Sequence, residues 1–341
     1  MKHYILISLF CGVLLSCTKT IDFDDEGYAN QVVVNSFIST ENYFSAYITK
    51  SSSILENEQN NPPAEGSMDL YEDGTLIRQF PSQVGGFSAT DIVPKAGKTY
   101  RMEITSEGKK LETETTIPYK VEIISIDTMT VKDQFINKRL RVNVKIKDVA
   151  GDNFYRITVS RENLVLVLNA DGKGTRKYFR TTSEVWISSD SPVFKSLYNN
   201  FGGEEFDMGP SNDYNIFPDD YFKGKEYTIQ FFVNNYGYGN YTNPYYGGNE
   251  NGSKTIYNRH TVHIQHLSKE MFNYMKYLKL YNHYHDNPFS EPVPVFSNVK
   301  GGAGIFAGYN DNTKLQFEKI YIPFSMDTIK VEDGYYYGGG Y

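Results

Sequence analysis

The chain has 341 residues, with 34 lysines and arginines against 41 aspartates and glutamates, which gives a formal net charge of −7. An acidic protein repels phosphate backbones, so this balance argues against nucleic acid as a partner. Of the two cysteines, Cys11 falls in an N-terminal segment that is predicted to be removed, which leaves Cys17 alone and excludes a disulfide framework.

The first sixteen residues have the layout of a secretory signal. Lys2 supplies a positive start, and an apolar stretch follows from Tyr4 to Leu15. This stretch is shorter than the ~20 residues that a helix needs to cross a bilayer, so it is predicted to be cleaved off rather than to span. Residues 1–16 are therefore assigned to a signal peptide.

The end of the signal, Leu14-Leu15-Ser16-Cys17, resembles the bacterial lipobox. The resemblance implies cleavage before Cys17, which would then carry a diacylglycerol on sulfur and a palmitate-type chain on nitrogen. Several acyl chains together anchor a protein stably, whereas one alone binds reversibly. The alternative is an ordinary signal that is cleaved nearby and leaves an incidental thiol. Cys17 is the expected lipidation site.

Residues 17–30 form an acidic tether. Its run Asp22–Glu26 resembles the export signals that send lipoproteins of the Bacteroidota through the outer membrane to the cell surface. The alternative is a solvated linker, which is what most charge runs are. The expected location is the outer membrane of the cell, with the protein lipid-anchored and surface-exposed.

Residues 31–118 are predicted to form an immunoglobulin-like or transthyretin-like β-sandwich. Met68 and Leu70 alternate with polar residues before Asp73-Gly74, a pair that favours a two-residue hairpin turn. A second alternating run, residues 100–104, follows a glycine-containing turn. Short strands with turn signals at this spacing are typical of an antiparallel sandwich.

Residues 119–332 are predicted to form a larger β-rich domain with one amphipathic helix, which makes the fold class mainly β. The run 140–146 alternates apolar and polar residues too regularly for a helix, and residues 227–233 supply another strand. The Gly/Tyr tail, 333–341, is treated as a separate segment.

The helix is expected near residues 269–284, with Ser268 as its N-cap, and it is expected to end before Pro288. Residues at three- and four-residue steps are predicted to pack on the sheet: Met271, Tyr274, Met275, Leu278 and Tyr281.

No residue is assigned to catalysis, to a metal or to a cofactor. His260, His263 and His266 resemble metal ligands in spacing, but the strand pattern around them puts His263 on the opposite face from the other two. The carboxylates between Glu204 and Asp220 lack calcium-loop spacing and are predicted to lie in a solvated loop. A non-enzymatic protein is expected. The alternative is a glycosidase whose two catalytic carboxylates lie far apart in the sequence.

A tyrosine-rich segment, residues 234–252, is the candidate contact site for a glycan or a protein partner. Aromatic rings give contact area at low entropic cost, and small neighbours let the backbone adapt. The alternative is a disordered surface loop with its tyrosines half buried on the sheet. The candidate contact residues are Tyr236, Tyr238, Asn240, Tyr241, Tyr245 and Tyr246.

Two short sequences match the O-glycosylation sequon of the Bacteroidota. They are Asp127-Thr128-Met129 and Asp327-Thr328-Ile329, so Thr128 and Thr328 are the candidate acceptors. The alternative is a chance match, because a motif of three residues arises easily.

Three segments resemble the signature of a Bacteroidota outer-membrane lipoprotein family that is known only as a domain of unknown function. They are VVVNSFIS (32–39), FPDDYFKGKEYTIQFF (217–232) and the specific C-terminal block 262–310, which contains NPFSEPVPVFSNVKGGAGIFAGY. The resemblance implies an accessory subunit beside a TonB-dependent receptor, in nutrient uptake or outer-membrane assembly. The alternative function is a surface glycan-binding module. The tail 333–341 has no place in the family pattern.

Overall fold

The computed structural model describes residues 30–52, 61–131, 139–167, 177–195, 197, 210–233, 254–285, 293–320 and 331–333. Within these residues the protein is mainly β, which confirms the predicted fold class. The strands and helices, in chain order, are β1 (Val32–Ser39), β2 (Phe44–Lys50), β3 (Glu65–Glu72), β4 (Thr75–Val84), β5 (Gly86–Ala89), β6 (Thr99–Ser106), β7 (Lys109–Thr116), β8 (Glu122–Val131), β9 (Arg139–Lys147), β10 (Phe154–Val167), β11 (Lys177–Val185), β12 (Ile187–Ser188), α1 (Pro192–Lys195), β13 (Ile216–Pro218), β14 (Glu226–Val233), β15 (Lys254–Leu267), α2 (Lys269–Tyr284), β16 (Ala303–Ile320) and β17 (Val331–Asp333). None of the described helices is long and apolar enough to cross a membrane.

A nine-stranded sheet, here called the central sheet, runs through the molecule. Its order is β17-β11-β10-β15-β16-β1-β2-β5, and β13 pairs with β10 beside this path. The first strand lies parallel to β16, in a register that places Val34 opposite Gly304. A strand from the start of the described chain therefore pairs with a strand from its C-terminal part inside one sheet.

Two four-stranded antiparallel sheets cover one face of the central sheet at different places. The first outer sheet has the order β4-β3-β6-β7, and the second outer sheet has the order β12-β14-β9-β8. Strict alternation of buried and exposed residues in β6 and β9 gives each outer sheet one apolar face. Each apolar face packs on the central sheet as a sandwich.

The two sandwiches have separate hydrophobic cores. The first core joins residues of the first outer sheet, such as Tyr100 and Met102, to Val34 and Phe306 of the central sheet. The second core is built by residues between Val121 and Ile264. The predicted domain boundary between residues 118 and 119 separates nearly all residues of the first core from those of the second. The central sheet, however, contains strands from both sides of this boundary. The division into two domains therefore stays a prediction.

The predicted hairpin turn at Asp73-Gly74 is confirmed between β3 and β4. Both residues have positive φ, 48° and 79°, as a two-residue turn between twisted antiparallel strands requires. Glu107 and Gly108 repeat this geometry between β6 and β7, with φ of 52° and 73°.

The N-terminus of α2 is confirmed and is tied to the first sandwich. The Ser268 hydroxyl accepts a hydrogen bond from Met271 N at 3.2 Å, which is an N-cap. Gly308 N of β16 donates to Ser268 Oγ at 3.3 Å and to Thr115 Oγ1 of β7 at 3.1 Å. Thr115 donates in turn to Glu270 Oε2 at 3.1 Å. The helix start thus joins strands of both sequence units.

The packing face predicted for α2 is confirmed for Met271, Tyr274 and Met275, which pack in the hydrophobic cluster at the helix, and is wrong for Tyr281. The buried residues are Phe272, Met275 and Leu280, whereas Tyr281 is exposed. Phe272 stacks on Phe154 of β10 with ring centroids 4.5 Å apart, on the face of the central sheet that lies away from the second core. The prediction left out Phe272 and Leu280, which are buried in the same cluster.

Candidate functional site

Most of the residues assigned from the sequence lie outside the described part of the chain. These are Cys17, Tyr236, Tyr238, Asn240, Tyr241, Tyr245, Tyr246 and Thr328. Thr128 is described: it lies on β8, at the edge of the second outer sheet, and it is exposed. A glycan on Thr128 would meet no steric barrier from the described residues, and its attachment stays a prediction.

The tyrosine-rich segment begins and ends at identifiable points of the fold. It follows Val233, the last residue of β14, and it precedes Lys254, the first residue of β15. Val233 pairs with Leu140 at the start of β9 and with Ile187 of β12. The last described residue before the segment therefore lies at one end of the second outer sheet.

Arginine and aromatic side chains lie on the outer face of this sheet end. Because Leu140 and Val142 point into the core, alternation along β9 directs Arg139 and Arg141 outward. The guanidinium carbon of Arg139 lies 5.0 Å from the centroid of the Phe232 ring, a cation–π arrangement.

The same two arginines have further neighbours on this face. Arg139 Nη2 donates to Ser188 Oγ at 3.2 Å, and Arg141 Nη2 lies 3.8 Å from Met129 Sδ. The cross-strand pairs Phe232 with Arg141 and Phe232 with Ser188 place these residues in one row. We call this surface the Arg–Phe patch; its members are Met129, Arg139, Arg141, Ser188 and Phe232.

Trp186, the single tryptophan of the chain, lies beside the Arg–Phe patch. It stands between β11 and β12, where the chain passes from the central sheet to the second outer sheet, two residues before Ser188. The side chain is 74% exposed, although tryptophan is the largest side chain that a protein can bury. An exposed indole offers stacking surface for a ring, and the guanidinium groups of the Arg–Phe patch offer donors for a carboxylate.

The electrostatics of the patch leave one cation available. Within the described residues Arg141 makes no ion pair, and its described side-chain contact is with the weak acceptor Met129. Lys145 lies on the same face of β9, two outward-facing positions beyond Arg141. Its Nζ forms an ion pair with Glu226 Oε2 at 2.6 Å. Arg141 is therefore the better-placed group for an anionic partner.

The three clustered histidines lie on one strand, as predicted from the alternation of their neighbours. His260 and His266 point to the buried face of β15, where His266 Nδ1 lies 2.8 Å from Tyr119 O. Burial lowers the pKa of both imidazoles, and with the nearby Arg161 it brings the pKa of His260 to about 4.

His263 lies on the opposite face of β15, within hydrogen-bonding distance of Ser160 and Asp311. Neither partner could be predicted from the sequence, because they lie on β10 and β16, some 100 and 50 residues from the histidine in the chain. The pairing of these strands brings the side chains of Ser160, His263 and Asp311 together. The described residues contain no group of three or more histidines, cysteines and carboxylates that could hold a metal ion.

The carboxylates near Asp219 have a structural role, and the predicted solvated loop is wrong for Asp219. Its side chain is 1% exposed, and its Oδ2 accepts from Asn153 N at 2.9 Å and from Asn153 Nδ2 at 3.1 Å. Asp148 accepts from Gly224 N at 2.6 Å and from the Tyr155 hydroxyl. Burial raises the pKa of Asp219 and of Tyr155. These bonds hold the loop before β14 on the strand β10.

The C-terminal block also has a structural role. Asn310 Nδ2 donates to Pro118 O at 3.0 Å, and Asn312 Nδ2 donates to Val121 O at 2.6 Å. Asn298 forms two bonds with the backbone of Phe306: it accepts from Phe306 N at 3.0 Å and donates to Phe306 O at 2.8 Å. The connection between the two sequence units is thereby fastened to β16.

Fold and site together define a mainly β protein with two sandwich cores on one shared sheet and an arginine–aromatic surface at one sheet end. The chain belongs to the family described as a domain of unknown function, DUF4249, whose model matches residues 18–315. That match includes both cores, helix α2 and the Arg–Phe patch. No curated protein matches the chain.

Proposed function

We propose that the protein is a lipid-anchored lipoprotein of the cell outer membrane that serves as an accessory subunit of a TonB-dependent receptor, in nutrient uptake or outer-membrane assembly. The anchor rests on the lipobox at Cys17, and the setting rests on the resemblance of the C-terminal block to Bacteroidota lipoproteins. The observation that carries a binding role is the exposed Trp186 beside the Arg–Phe patch, at the root of the tyrosine-rich segment.

The patch has the composition of protein interfaces. Trp, Tyr and Arg are the residue types that dominate binding energy at such interfaces, since they combine a large apolar area with few rotatable bonds or a rigid set of donors. Arg141 lacks an internal anion among the described residues, so a partner carboxylate could bind it without breaking an existing ion pair. The acidic tether would keep the patch close to the membrane, where the receptor lies.

The proposal is tested by purification in mild detergent with the TonB-dependent receptor that is encoded beside the protein. We expect W186A and R141Q to reduce recovery of the receptor by about tenfold each, in the range of interface hot spots. K145Q is the matched control, because it removes a cation from the same face of β9 outside the patch. Recovery of the wild-type protein as a lone monomer would refute the proposal.

A surface glycan-binding module is the second candidate function, and the 74% exposure of Trp186 favours it as well. Exposed indoles and tyrosines stack on sugar rings, and the asparagines of the tyrosine-rich segment supply amide donors and acceptors. Glycan-array binding that is lost in W186A, and lost when Tyr236 to Tyr246 are replaced by serine, would support this function. Binding that persists in both variants would exclude this surface as the glycan site.

A further inference from the structure

Three polar side chains on adjacent strands of the central sheet form one hydrogen-bonded row. Ser160 Oγ of β10 lies 2.9 Å from His263 Nε2 of β15, and His263 Nδ1 lies 3.3 Å from Asp311 Oδ2 of β16. All three point away from the second core, because their chain neighbours Val159 and Val262 fill it. The imidazole is 23% exposed and the carboxylate 13% exposed, so the row is sheltered but reachable from solvent.

The order of atoms in the row is that of a nucleophile, a general base and an orienting carboxylate. An acceptor at Nδ1 places the ring proton there, which leaves the Nε2 lone pair facing the Ser160 hydroxyl. Asp311 is itself positioned, since Gln265 Nε2 lies 3.5 Å from the same oxygen and Arg156 Nη1 lies 3.4 Å from Gln265 Oε1. Each member is held by a strand, which is the rigid kind of support that a reactive group needs.

We propose that Ser160 is an activated nucleophile that accepts an acyl group from small, reactive esters, with His263 as its general base. Ser160 Oγ forms a bond to the ester carbonyl carbon while its proton passes to His263 Nε2. The bond from that carbon to the leaving oxygen breaks, and His263 returns the proton to the released alcohol. Water then cleaves the acyl-serine in the same way, and Ser160 recovers its proton. The carboxylate of Asp311 stabilises the imidazolium in both steps.

The sheet itself limits the substrate class. Ser160 pairs with Glu184 of β11 on one side and with Thr261 of β15 on the other, so the backbone N–H groups around it belong to the ladder. An oxyanion hole contributes roughly 10²- to 10³-fold per donor to acyl transfer. Without such donors the row suits aryl esters and other activated acyl groups, whose leaving group needs little help, and not amides. This activity is separate from the proposed partner binding and departs from the expectation of a non-enzymatic protein.

The experiment uses the full-length lipoprotein in detergent, a fluorophosphonate probe with peptide mapping, and hydrolysis of p-nitrophenyl acetate. We expect a covalent adduct on Ser160 and slow ester turnover. S160A should abolish both, and H263Q should slow labelling by about 10²-fold, as loss of a general base does. S183A is the matched control, because Ser183 is an exposed serine on the neighbouring strand β11; it should leave both readouts unchanged.

The pH profile separates this role from a purely structural one. A general base acts only in its unprotonated form, so labelling of the wild type should depend on pH, and H263Q should lose this dependence. Mapping the adduct on the wild type does not require any variant to fold. A wild-type protein without an adduct on Ser160, or with an adduct whose rate is the same in folded H263Q, would overturn the proposal whatever the outcome of the receptor purification.

Discussion

Replacing Gly304 by alanine should destabilise the protein through the parallel contact between β1 and β16. Gly304 has φ of +110°, a conformation that costs a residue with a Cβ roughly 2 kcal/mol. A Cβ at this position would lie 2.7 Å from Val34 N and closer still to Val34 O, both backbone atoms that cannot rotate away. Displacing the strand costs about a further 2 kcal/mol, the size of an overpacked core. The expected loss in free energy of unfolding is therefore about 4 kcal/mol.

Gly108→Ala is the matched control for this change. Gly108 also has positive φ, +73°, but a Cβ there would meet nothing within 4 Å, so only the backbone term of about 1 kcal/mol applies. Urea unfolding followed by circular dichroism measures both variants, and at an m value of about 3 kcal/mol/M the midpoints should differ by about 1 M. If Gly304→Ala unfolds at the same urea concentration as Gly108→Ala, the two strands do not approach closely and the reasoning fails.

Three further changes test the polar contacts of the fold. Ser268→Ala removes the cap of α2 and should lower the free energy of unfolding by about 1 kcal/mol in urea, whereas Ser268→Asp should retain most of it. Tyr155→Phe leaves Asp148 buried with one donor fewer and should cost roughly 2 kcal/mol by the same measurement; an unchanged midpoint would mean that water replaces the hydroxyl. The pKa of His260 is about 4 in the folded protein and about 6.5 when unfolded, so the unfolded state binds the extra proton between these values. Stability should therefore fall by at most about 3 kcal/mol as pH drops from 6.5 to 4, and pH-dependent thermal melting should show a flatter curve for His260→Gln.

The sequence predicts those features of the fold that depend on neighbours in the chain. Alternation of apolar and polar residues predicted β6 and β9. The Asp-Gly pair predicted the hairpin turn at Asp73-Gly74, where both residues have positive φ. The cap at Ser268 is also a local signal, because its hydroxyl bonds to a backbone group three residues away. Each of these features is decided by steric and hydrogen-bonding preferences within a few residues.

Features that depend on distant parts of the chain were not predicted. The pairing of β1 with β16 joins residues some 270 positions apart in the chain. No feature of the sequence Val32–Ser39 indicates which strand it pairs with. The row of Ser160, His263 and Asp311 arises in the same way, since cross-strand neighbours need no pattern in the chain. The packing face of α2 was predicted only in part for a related reason: the position of the sheet under Phe272 decides how far around the helix the buried side extends.

The residues of the three signature segments mainly stabilise the fold, which bears on where the residues that select a partner lie. Asp219, Ser268, Asn298, Gly304 and Asn310 all belong to those segments, and each fixes a loop, a helix start or a close contact of strands. The signature therefore specifies the architecture.

Trp186 and Arg141 lie outside the signature segments. The exposed indole adds little buried area to the fold, and Arg141 makes no ion pair within the part of the chain that the structure describes. Both placements fit the partner binding proposed above. On this reasoning a W186A or R141Q variant should be as stable as the wild type in urea while it loses its partner. A loss of stability equal to the loss of binding would instead make both residues part of the architecture.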